Sequence, residues 1–227
     1  MFEALTKFLI AYAIGNLMGG QIVGWLRGGV DLRRLGSGNV GATNALRTQG
    51  ASFALSVLLV DVLKGVIAAR LVPLIPWPLG EGAPDFRYPL EWLQYLCGVG
   101  VALGHCYPIT LGFKGGKGVA TLAGVFGALM IAALPWMLLT FVLVVMLSGY
   151  VSAATIGAAT TVVFYMLVVD AHPLLSAPVL FTLTMSALVL FKHRDNIRRL
   201  WRGNEHRFEK ARVLGRLIER RNAARKP

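Results

Sequence analysis

The residues best suited to chemistry begin in a polar, glycine-rich stretch, residues 36–47, between two long apolar runs. Three glycines within six residues free the backbone to turn sharply and to bring N–H groups close to a ligand. Hydroxyl, amide and guanidinium groups come from Ser37, Asn39, Thr43, Asn44 and Arg47. Together these groups suit an oxyanion such as phosphate. An ordinary interhelical turn is the alternative, because Gly, Ser and Asn are common turn residues.

A second stretch of the same character runs from residue 104 to residue 121. Four glycines and two lysines, Lys114 and Lys117, fall within the seven residues 112–118, directly before an apolar run. The N–H groups and the dipole of a helix beginning there would favour a phosphate. The pattern is not a Walker A loop, because Lys117 is followed by Gly118 rather than by Ser or Thr. A plain basic loop is the alternative.

A third polar stretch, residues 192–205, follows the last long apolar run. It contains His193, Asn196 and Glu205 among several arginines. His193 or Glu205 could accept a proton or orient a substrate.

The elements that must position these stretches are predicted to be membrane helices. The chain is 56% hydrophobic and only 15% charged, whereas a soluble domain is about a quarter charged. Its long apolar runs predict an all-α, polytopic membrane protein with seven transmembrane helices. The predicted spans are residues 2–26, 51–72, 90–106, two short helices within 119–149 that turn around Pro135, 151–169 and 174–191. A Pro- and Gly-rich loop is predicted at 73–89.

The predicted organisation is one transmembrane domain, residues 1–203, followed by a basic tail, residues 204–227. The domain carries three motif loops, which we call loop 1 (residues 33–47), loop 2 (104–121) and loop 3 (192–205). With seven spans, 19 Lys and Arg lie on the side of these loops and three lie on the other side. The positive-inside rule therefore predicts cytoplasmic loops and C-terminus, with the N-terminus outside. The three loops are expected to meet at the cytoplasmic face.

Two charged residues lie inside the second span, Asp61 and Lys64, and their i,i+3 spacing lets them pair. A charge at membrane depth is costly, so both should face the bundle or a polar cavity. An ion pair that locks helix packing is one interpretation, and a Lys64 that borders a substrate pocket is the other. Cys97 and Cys106 are too far apart along one helix for a disulfide and are expected to be small buried residues.

Anion-binding loops beside apolar spans indicate lipid synthesis at an interface. At this point the chain resembles the bacterial acyl-phosphate:glycerol-3-phosphate acyltransferases, the PlsY family. The resemblance is carried by residues 36–44, by Gly104-His105 with residues 113–121, and by residues 193–200, in that order. It extends from the first span to about Phe208. Asn204 stands where members of the family usually have Thr.

The resemblance implies transfer of a fatty acyl group from acyl phosphate to the 1-hydroxyl of glycerol 3-phosphate, giving 1-acylglycerol 3-phosphate (lysophosphatidic acid) and phosphate. It implies no cofactor, no metal and no nucleic acid. It further implies a bacterial cytoplasmic (inner) membrane location and a functional link to an enzyme that produces acyl phosphate. The chain also lacks the His-x4-Asp pattern of acyltransferases that use other donors.

The resemblance further implies site roles. Ser37 and Asn39 would hold the acyl phosphate, and His193 and Asn196 would orient the glycerol hydroxyl, so these four are the predicted catalytic residues. Arg47 and Lys117 would bind the phosphate of glycerol 3-phosphate. The predicted substrate-binding residues are Gly36, Gly38, Thr43, Asn44, Arg47, Gly104, Lys114, Gly116, Lys117, Gly118 and Glu205.

Two alternatives remain open from the sequence. Because acyl phosphate is already activated, direct transfer is favoured over a mechanism in which Ser37 is an acylated nucleophile. For the function as a whole, an anion or lipid-phosphate transporter is the competing hypothesis. Against a transporter, the spans show no inverted repeat and the polar residues gather towards one face. A non-catalytic scaffold would not need the Gly/Lys loops.

Overall fold

A computed structural model describes residues 2–76 and 88–223, and these residues form helices and turns without any strand. Two compact units divide the chain, Met1–Ile131 (unit 1) and Ala132–Pro227 (unit 2). The prediction of an all-α protein is therefore confirmed for the part of the chain that is described. The predicted division at residue 203 stays a prediction.

Unit 1 contains loops 1 and 2. Its helices are α1 (Phe2–Gly15), α2 (Gly19–Leu26), α3 (Ala42–Gln49), α4 (Ala51–Arg70), α5 (Leu90–Cys106) and α6 (Val119–Leu129). Short 3-10 turns lie at Leu32–Arg34, Val72–Leu74 and Ile109–Leu111. The most extensive packing joins α1 to α5 and α4 to α6.

Glycines allow the close helix packing of unit 1. A Cβ placed on Gly15 would lie 2.4 Å from the carbonyl oxygen of Val101, and one on Gly104 would lie 2.1 Å from that of Tyr12. A Cβ on Gly19 would likewise meet the carbonyl oxygen of Val57 at 2.7 Å. The backbones of α1 and α5, and of α2 and α4, thus approach each other as small residues permit in membrane helices.

Unit 2 contains loop 3. Its helices are α7 (Leu134–Ser148), α8 (Val151–Phe164), α9 (Ala177–Lys192), α10 (Arg194–Trp201) and α11 (Val213–Ala223), with a π-helical turn at Tyr165–Val169 and a 3-10 turn at Glu209–Ala211. Helix α8 packs against α7 and α9, and α11 packs against α7. Many large apolar side chains of α7 are exposed, as expected of a surface that faces lipid.

The described helices follow the predicted spans, with two corrections. The span predicted as continuous over 2–26 is bent by 42° between α1 and α2. The break within 119–149 lies at residues 130–133, and Pro135 is not at the turn but in the first turn of α7. Proline fits there because the first helical turn has no use for its missing N–H.

Among the described residues, two helical stretches, Ala51–Leu74 and Val151–Val169, are long and apolar enough to cross a membrane, and the bent pair α1 and α2 adds a third if it is one span. Helices α6, α7 and α9 are apolar but shorter. Seven spans and the orientation of the termini therefore stay predictions. Most of the predicted loop 73–89 and the end of the basic tail lie outside the described residues.

Candidate active site

Loop 1 is built around the buried side chain of Asn44, in the first turn of α3. Its amide nitrogen donates to the carbonyl oxygens of Leu32, Leu35 and Asn39 at 2.8–3.1 Å. Its amide oxygen accepts the backbone N–H of Ser37 at 3.0 Å. One side chain thus connects four backbone groups between Leu32 and Asn39. We call Asn44 the brace of loop 1 for this reason.

The backbone N–H groups of loop 1 are partly used within the loop. Besides Ser37, Gly38 donates to the carbonyl oxygen of Leu35 at 3.0 Å, and Gly41 donates to the side chain of Asn39 at 2.9 Å. A Cβ on Gly36 would lie 2.4 Å from the Asn44 amide oxygen, so the turn needs a glycine there. The side chain of Ser37 is exposed on this braced turn. Loop 1 therefore exposes Ser37 on a turn that is hydrogen-bonded to the first turn of α3, where the helix dipole favours an anion.

Loop 2 rests on the end of α5. The N–H of Gly116 donates to the carbonyl oxygen of His105 at 3.0 Å. A Cβ on Gly116 would lie 2.1 Å from His105 Nε2, and Gly118 has a φ of +80° as α6 begins. The two lysines differ, since Lys114 is exposed and Lys117 is half-buried. Lys117 thus lies between two positions, Gly116 and Gly118, at which a Cβ would clash or strain the backbone.

The Asp61–Lys64 ion pair is confirmed, at 2.9 Å and almost fully buried. Lys64 Nζ also donates to the carbonyl oxygens of Gly15 and Leu17, at 3.0 and 2.9 Å, and Asp61 accepts the N–H of Gly19 at 3.2 Å. These are the backbone groups that the break between α1 and α2 leaves without helical partners. The contacts therefore favour the interpretation in which this pair locks helix packing.

Loop 3 contains the buried His193, which lies between α9 and α10. Its Nδ1 lies 2.8 Å from the carbonyl oxygen of Val189. A carbonyl oxygen only accepts, so Nδ1 carries the proton in this contact and a neutral ring has its lone pair on Nε2. This tautomer is the one that a general base acting through Nε2 requires.

Glu205 is the internal brace of loop 3. Its carboxylate accepts hydrogen bonds from Asn196 Nδ2 at 2.7 Å, Arg199 Nε at 2.7 Å and Ser152 Oγ at 3.1 Å. Burial raises the pKa of the Glu205 carboxyl, but the hydrogen bonds from Asn196 and Arg199 outweigh burial and hold that pKa below its usual range. Glu205 is therefore ionised at neutral pH and is a poor proton acceptor, and its contacts fit a role in holding Asn196.

Replacing Glu205 by Gln is expected to destabilise the protein at pH 7 by about 2 kcal/mol, since the amide puts a donor against Arg199. The lowered pKa means that the ionised carboxylate stabilises the fold above its unfolded-state pKa, and that this contribution is lost as the pH falls through the folded-state value. Unfolding in detergent should therefore separate wild type from Glu205→Gln at pH 7, and the difference should shrink as the pH falls below the unfolded-state pKa of about 4.3 and through the lower folded-state value.

The matched control is Glu209→Gln, because Glu209 pairs with Arg207 at 3.4 Å on the exposed surface of the same segment. Its effect on unfolding should be less than about 0.5 kcal/mol. Equal stability of wild type and Glu205→Gln across the whole pH range would contradict the bracing role.

Comparison with known proteins places this arrangement in a family. A family model for glycerol-3-phosphate acyltransferase matches residues 5–203. A glycerol-3-phosphate acyltransferase of Aquifex aeolicus is 38% identical over 207 residues, which cover 91% of this chain and 100% of that protein. The chain belongs to the glycerol-3-phosphate acyltransferase family. A second member, from Geobacter sulfurreducens, is 38% identical over 209 residues, with 92% of this chain and 100% of that protein covered.

Solved structures of the family agree with the fold. Crystal structures of PlsY (YgiH), an integral membrane glycerol 3-phosphate acyltransferase, match with TM-scores of 0.78 for its glycerol 3-phosphate form and 0.77 for its lysophosphatidic acid form. The identities are 36% and 34%, and each match covers 93% of this chain and 98% of that one. The resemblance noted from the sequence is thus confirmed at the level of the family, and the chain is a PlsY-like integral membrane protein.

The predicted site residues of this acyltransferase fall into two groups. Those of loops 1 and 2 lie in unit 1, where Asn44 gathers Gly36, Ser37 and Asn39. Those of loop 3 lie in unit 2, where Glu205 gathers Asn196. Gly104 packs against the backbone of α1, so helix packing alone explains why this position is a glycine. Thr43 and Arg47 lie half-buried on α3, in its first and last turns.

Sequence reasoning missed two members of the acyltransferase's loop 3 cluster, Ser152 and Arg199. Ser152 lies at the start of α8, 53 residues before Glu205, so no local spacing links the two. Arg199 was counted only as a positive charge of loop 3. The sequence did contain a signal, namely Gly203 between α10 and Glu205. This glycine adopts a φ of +71°, and the turn brings Glu205 back to Asn196 and Arg199 on α10.

Proposed function

We propose that this family member transfers a fatty acyl group from acyl phosphate to the 1-hydroxyl of sn-glycerol 3-phosphate, forming lysophosphatidic acid and phosphate. The observation that carries the proposal is loop 1, a turn braced by Asn44 that presents Ser37 outward at the N-terminus of α3. Such a turn suits a phosphate group, because backbone N–H groups at a helix N-terminus favour an anion. The family match and the glycerol 3-phosphate and lysophosphatidic acid forms of PlsY support the acceptor and the product.

Each loop has a proposed task. Ser37 and Asn39 hold the phosphate of the acyl donor, and Lys117 and Arg47 hold the phosphate of glycerol 3-phosphate. Both substrates are anions, so cations and oriented dipoles must offset their repulsion before they can react. Lys117 is half-buried and lies between two glycines, so it suits this task better than the exposed Lys114.

The proposed chemistry is direct transfer. The glycerol hydroxyl oxygen attacks the acyl carbonyl carbon, the bond from that carbon to the phosphate oxygen breaks, and phosphate leaves with the bonding electrons. The hydroxyl proton passes to His193 Nε2 or to an oxygen of the donor phosphate. The contact of Nδ1 with Val189 supports His193, because it leaves the lone pair on Nε2, and Asn196 held by Glu205 orients the hydroxyl. Acylation of Ser37 is not required, because acyl phosphate is already activated.

Two substitutions should separate the roles of loops 1 and 2. Lys117→Ala is expected to raise KM for glycerol 3-phosphate by more than about tenfold, because it removes a cation from a phosphate. Ser37→Ala is expected to lower kcat by about 100-fold, as loss of one oriented donor at a reacting group does. Initial rates of lysophosphatidic acid formation with palmitoyl phosphate as donor measure both.

The control for this pair is Lys210→Ala, since Lys210 is an exposed lysine in the tail. Its kinetic constants should equal those of wild type. Wild-type kinetics from folded Lys117→Ala would make that lysine a topology anchor, and a kinetically competent acyl group trapped on Ser37 after rapid quenching would replace direct transfer by the acyl-enzyme mechanism.

The predicted topology belongs to the same proposal: seven spans in the bacterial cytoplasmic membrane, with the N-terminus outside and the motif loops at the cytoplasmic face. The excess of Lys and Arg around the loops supports it. A membrane-impermeant thiol reagent should label Lys114→Cys in inverted vesicles and not in intact cells. Labelling in intact cells would reverse the orientation. An enzyme that produces acyl phosphate is the proposed functional partner.

A further inference from the structure

A buried polar cluster of unit 1 has no part in the chemistry proposed above. It consists of Asp61 and Lys64 on α4, His105 at the end of α5 and Thr121 on α6, each at most 4% exposed. Buried polar groups of this kind are costly unless they are fully paired, so a chain that carries four of them together needs a reason.

One end of the cluster is accounted for by helix packing. Lys64 and Asp61 pair with each other and with the backbone groups at the break between α1 and α2. Asp61 also turns Oδ1, the carboxylate oxygen that pairs with Lys64, towards His105 Nδ1 at 3.5 Å. Helix packing at the break between α1 and α2 explains why Asp61 and Lys64 are buried. It does not explain why His105 is buried beside them.

The other end of the cluster lies at loop 2. His105 Nδ1 is flanked by two oxygens, Asp61 Oδ1 at 3.5 Å and Thr121 Oγ1 at 3.1 Å. A carboxylate oxygen that already accepts from Lys64 is an acceptor for His105 as well, so the proton is favoured on Nδ1, and the ring orientation is fixed from two sides. This orientation places Nε2 against the backbone of loop 2, where a Cβ on Gly116 would lie 2.1 Å away.

His105 thus contacts the glycine-rich part of loop 2, residues 112–118, twice. Its carbonyl oxygen accepts the N–H of Gly116 at 3.0 Å, and a Cβ on Gly115 would lie 2.2 Å from the same oxygen. Its ring supports Gly116 directly before Lys117. A change in the ring is therefore transmitted to the backbone that carries the lysine.

We propose that His105, oriented by Asp61 and Thr121, is a positioning residue that fixes the glycine-rich backbone of residues 115–118 and so sets the affinity for glycerol 3-phosphate. This inference rests on the proposed binding of that substrate by Lys117. The donor, held by loop 1 in the proposed function, should be unaffected. Variants of His105 should therefore change KM for glycerol 3-phosphate and leave KM for the acyl donor unchanged.

The test compares KM for glycerol 3-phosphate and for palmitoyl phosphate in His105→Ala, His105→Gln and Thr121→Val. His105→Ala should raise KM for glycerol 3-phosphate about tenfold and leave KM for palmitoyl phosphate within about twofold. His105→Gln, whose amide reaches the position of Nε2, should recover part of the loss. Thr121→Val keeps the shape of the side chain and removes one flanking oxygen, so a rise of about threefold is expected and the variant should still fold.

The matched control is Lys7→Met. Lys7 is a buried lysine of the same unit, paired with Glu3 at 2.6 Å and with the carbonyl oxygen of Pro73 at 2.8 Å. Its replacement removes a buried polar cluster outside loop 2 and should lower the unfolding temperature without changing either KM. Equal changes of both KM values in the His105 variants, or the same pattern in Lys7→Met, would overturn the positioning role.

Calorimetric titration with glycerol 3-phosphate alone separates this inference from the proposed function. If wild type binds glycerol 3-phosphate and folded His105→Ala binds it about tenfold more weakly, the positioning role stands even if wild type does not turn over acyl phosphate. If wild type turns over but folded His105→Ala binds with unchanged affinity, the positioning role fails and the proposed function stands.

Discussion

Gly116→Ala is expected to lower kcat/KM for glycerol 3-phosphate by about 100-fold, because a displacement of a substrate-binding loop by about 1 Å can cost that much. The added Cβ would lie 2.1 Å from His105 Nε2, and that ring is held by Asp61 and Thr121. The loop must therefore move, and Lys117 moves with it. Initial rates of lysophosphatidic acid formation at varied glycerol 3-phosphate measure the loss.

Gly112→Ala is the matched control for this variant. It makes the same change in the same loop, at a φ of +58°, where a Cβ meets nothing within 4 Å. It should lose about 1 kcal/mol of stability and little activity. A second check is the double variant His105→Ala/Gly116→Ala, which should lose no more activity than Gly116→Ala because the clash is removed. Wild-type rates from folded Gly116→Ala would contradict the account of loop 2.

Asn44→Asp is expected to lower kcat by about 100-fold or more and stability by about 3 kcal/mol. The carboxylate keeps an acceptor for the N–H of Ser37 but presents oxygen to the three carbonyl groups of Leu32, Leu35 and Asn39. Loop 1 should then lose the turn that presents Ser37. Kinetics with palmitoyl phosphate and thermal unfolding in the same detergent measure the two effects.

Thr48→Val provides the comparison on the same helix. The hydroxyl of Thr48 donates to the carbonyl oxygen of Asn44 at 2.9 Å, a bond within α3 that the helix does not need, and valine keeps the shape. Activity should stay within about twofold of wild type. If Asn44→Asp and Thr48→Val behaved alike, Asn44 would not be the brace of loop 1.

The helices were largely predictable, because long apolar runs specify membrane helices almost by themselves. The bend between α1 and α2 was not, since it depends on Lys64 and Asp61, which lie about 45 residues further along the chain. The turn assigned to Pro135 was misplaced because proline can begin a helix as well as interrupt one.

The sequence was enough to predict which residues belong to the motif loops, but not which groups their side chains contact. Asn44 and Glu205 were expected to bind substrate. Instead, Asn44 donates three hydrogen bonds to the backbone of residues 32–39 and accepts one from it, and Glu205 accepts three from side chains of its own unit. Spacing along the chain cannot distinguish a side chain that braces a loop from one that binds a ligand. His105 illustrates the same limit, because its partners come from α4 and α6.

These braces have a consequence for catalysis. Direct transfer forms no covalent intermediate, so its rate depends on holding two anionic substrates in fixed positions. Each unit stiffens its own motif loops with buried hydrogen bonds, through Asn44 and His105 in unit 1 and through Glu205 in unit 2. Variants that loosen a brace should therefore reduce activity without removing any group that touches a substrate.

The measurement that tests the central claim most directly uses purified wild-type protein in a lipid mesophase, with palmitoyl phosphate and glycerol 3-phosphate. The account predicts one phosphate released per lysophosphatidic acid formed, no release when glycerol 3-phosphate is omitted, and no product when palmitoyl-CoA replaces palmitoyl phosphate. Product from palmitoyl-CoA alone, or none from palmitoyl phosphate with folded protein, would contradict it.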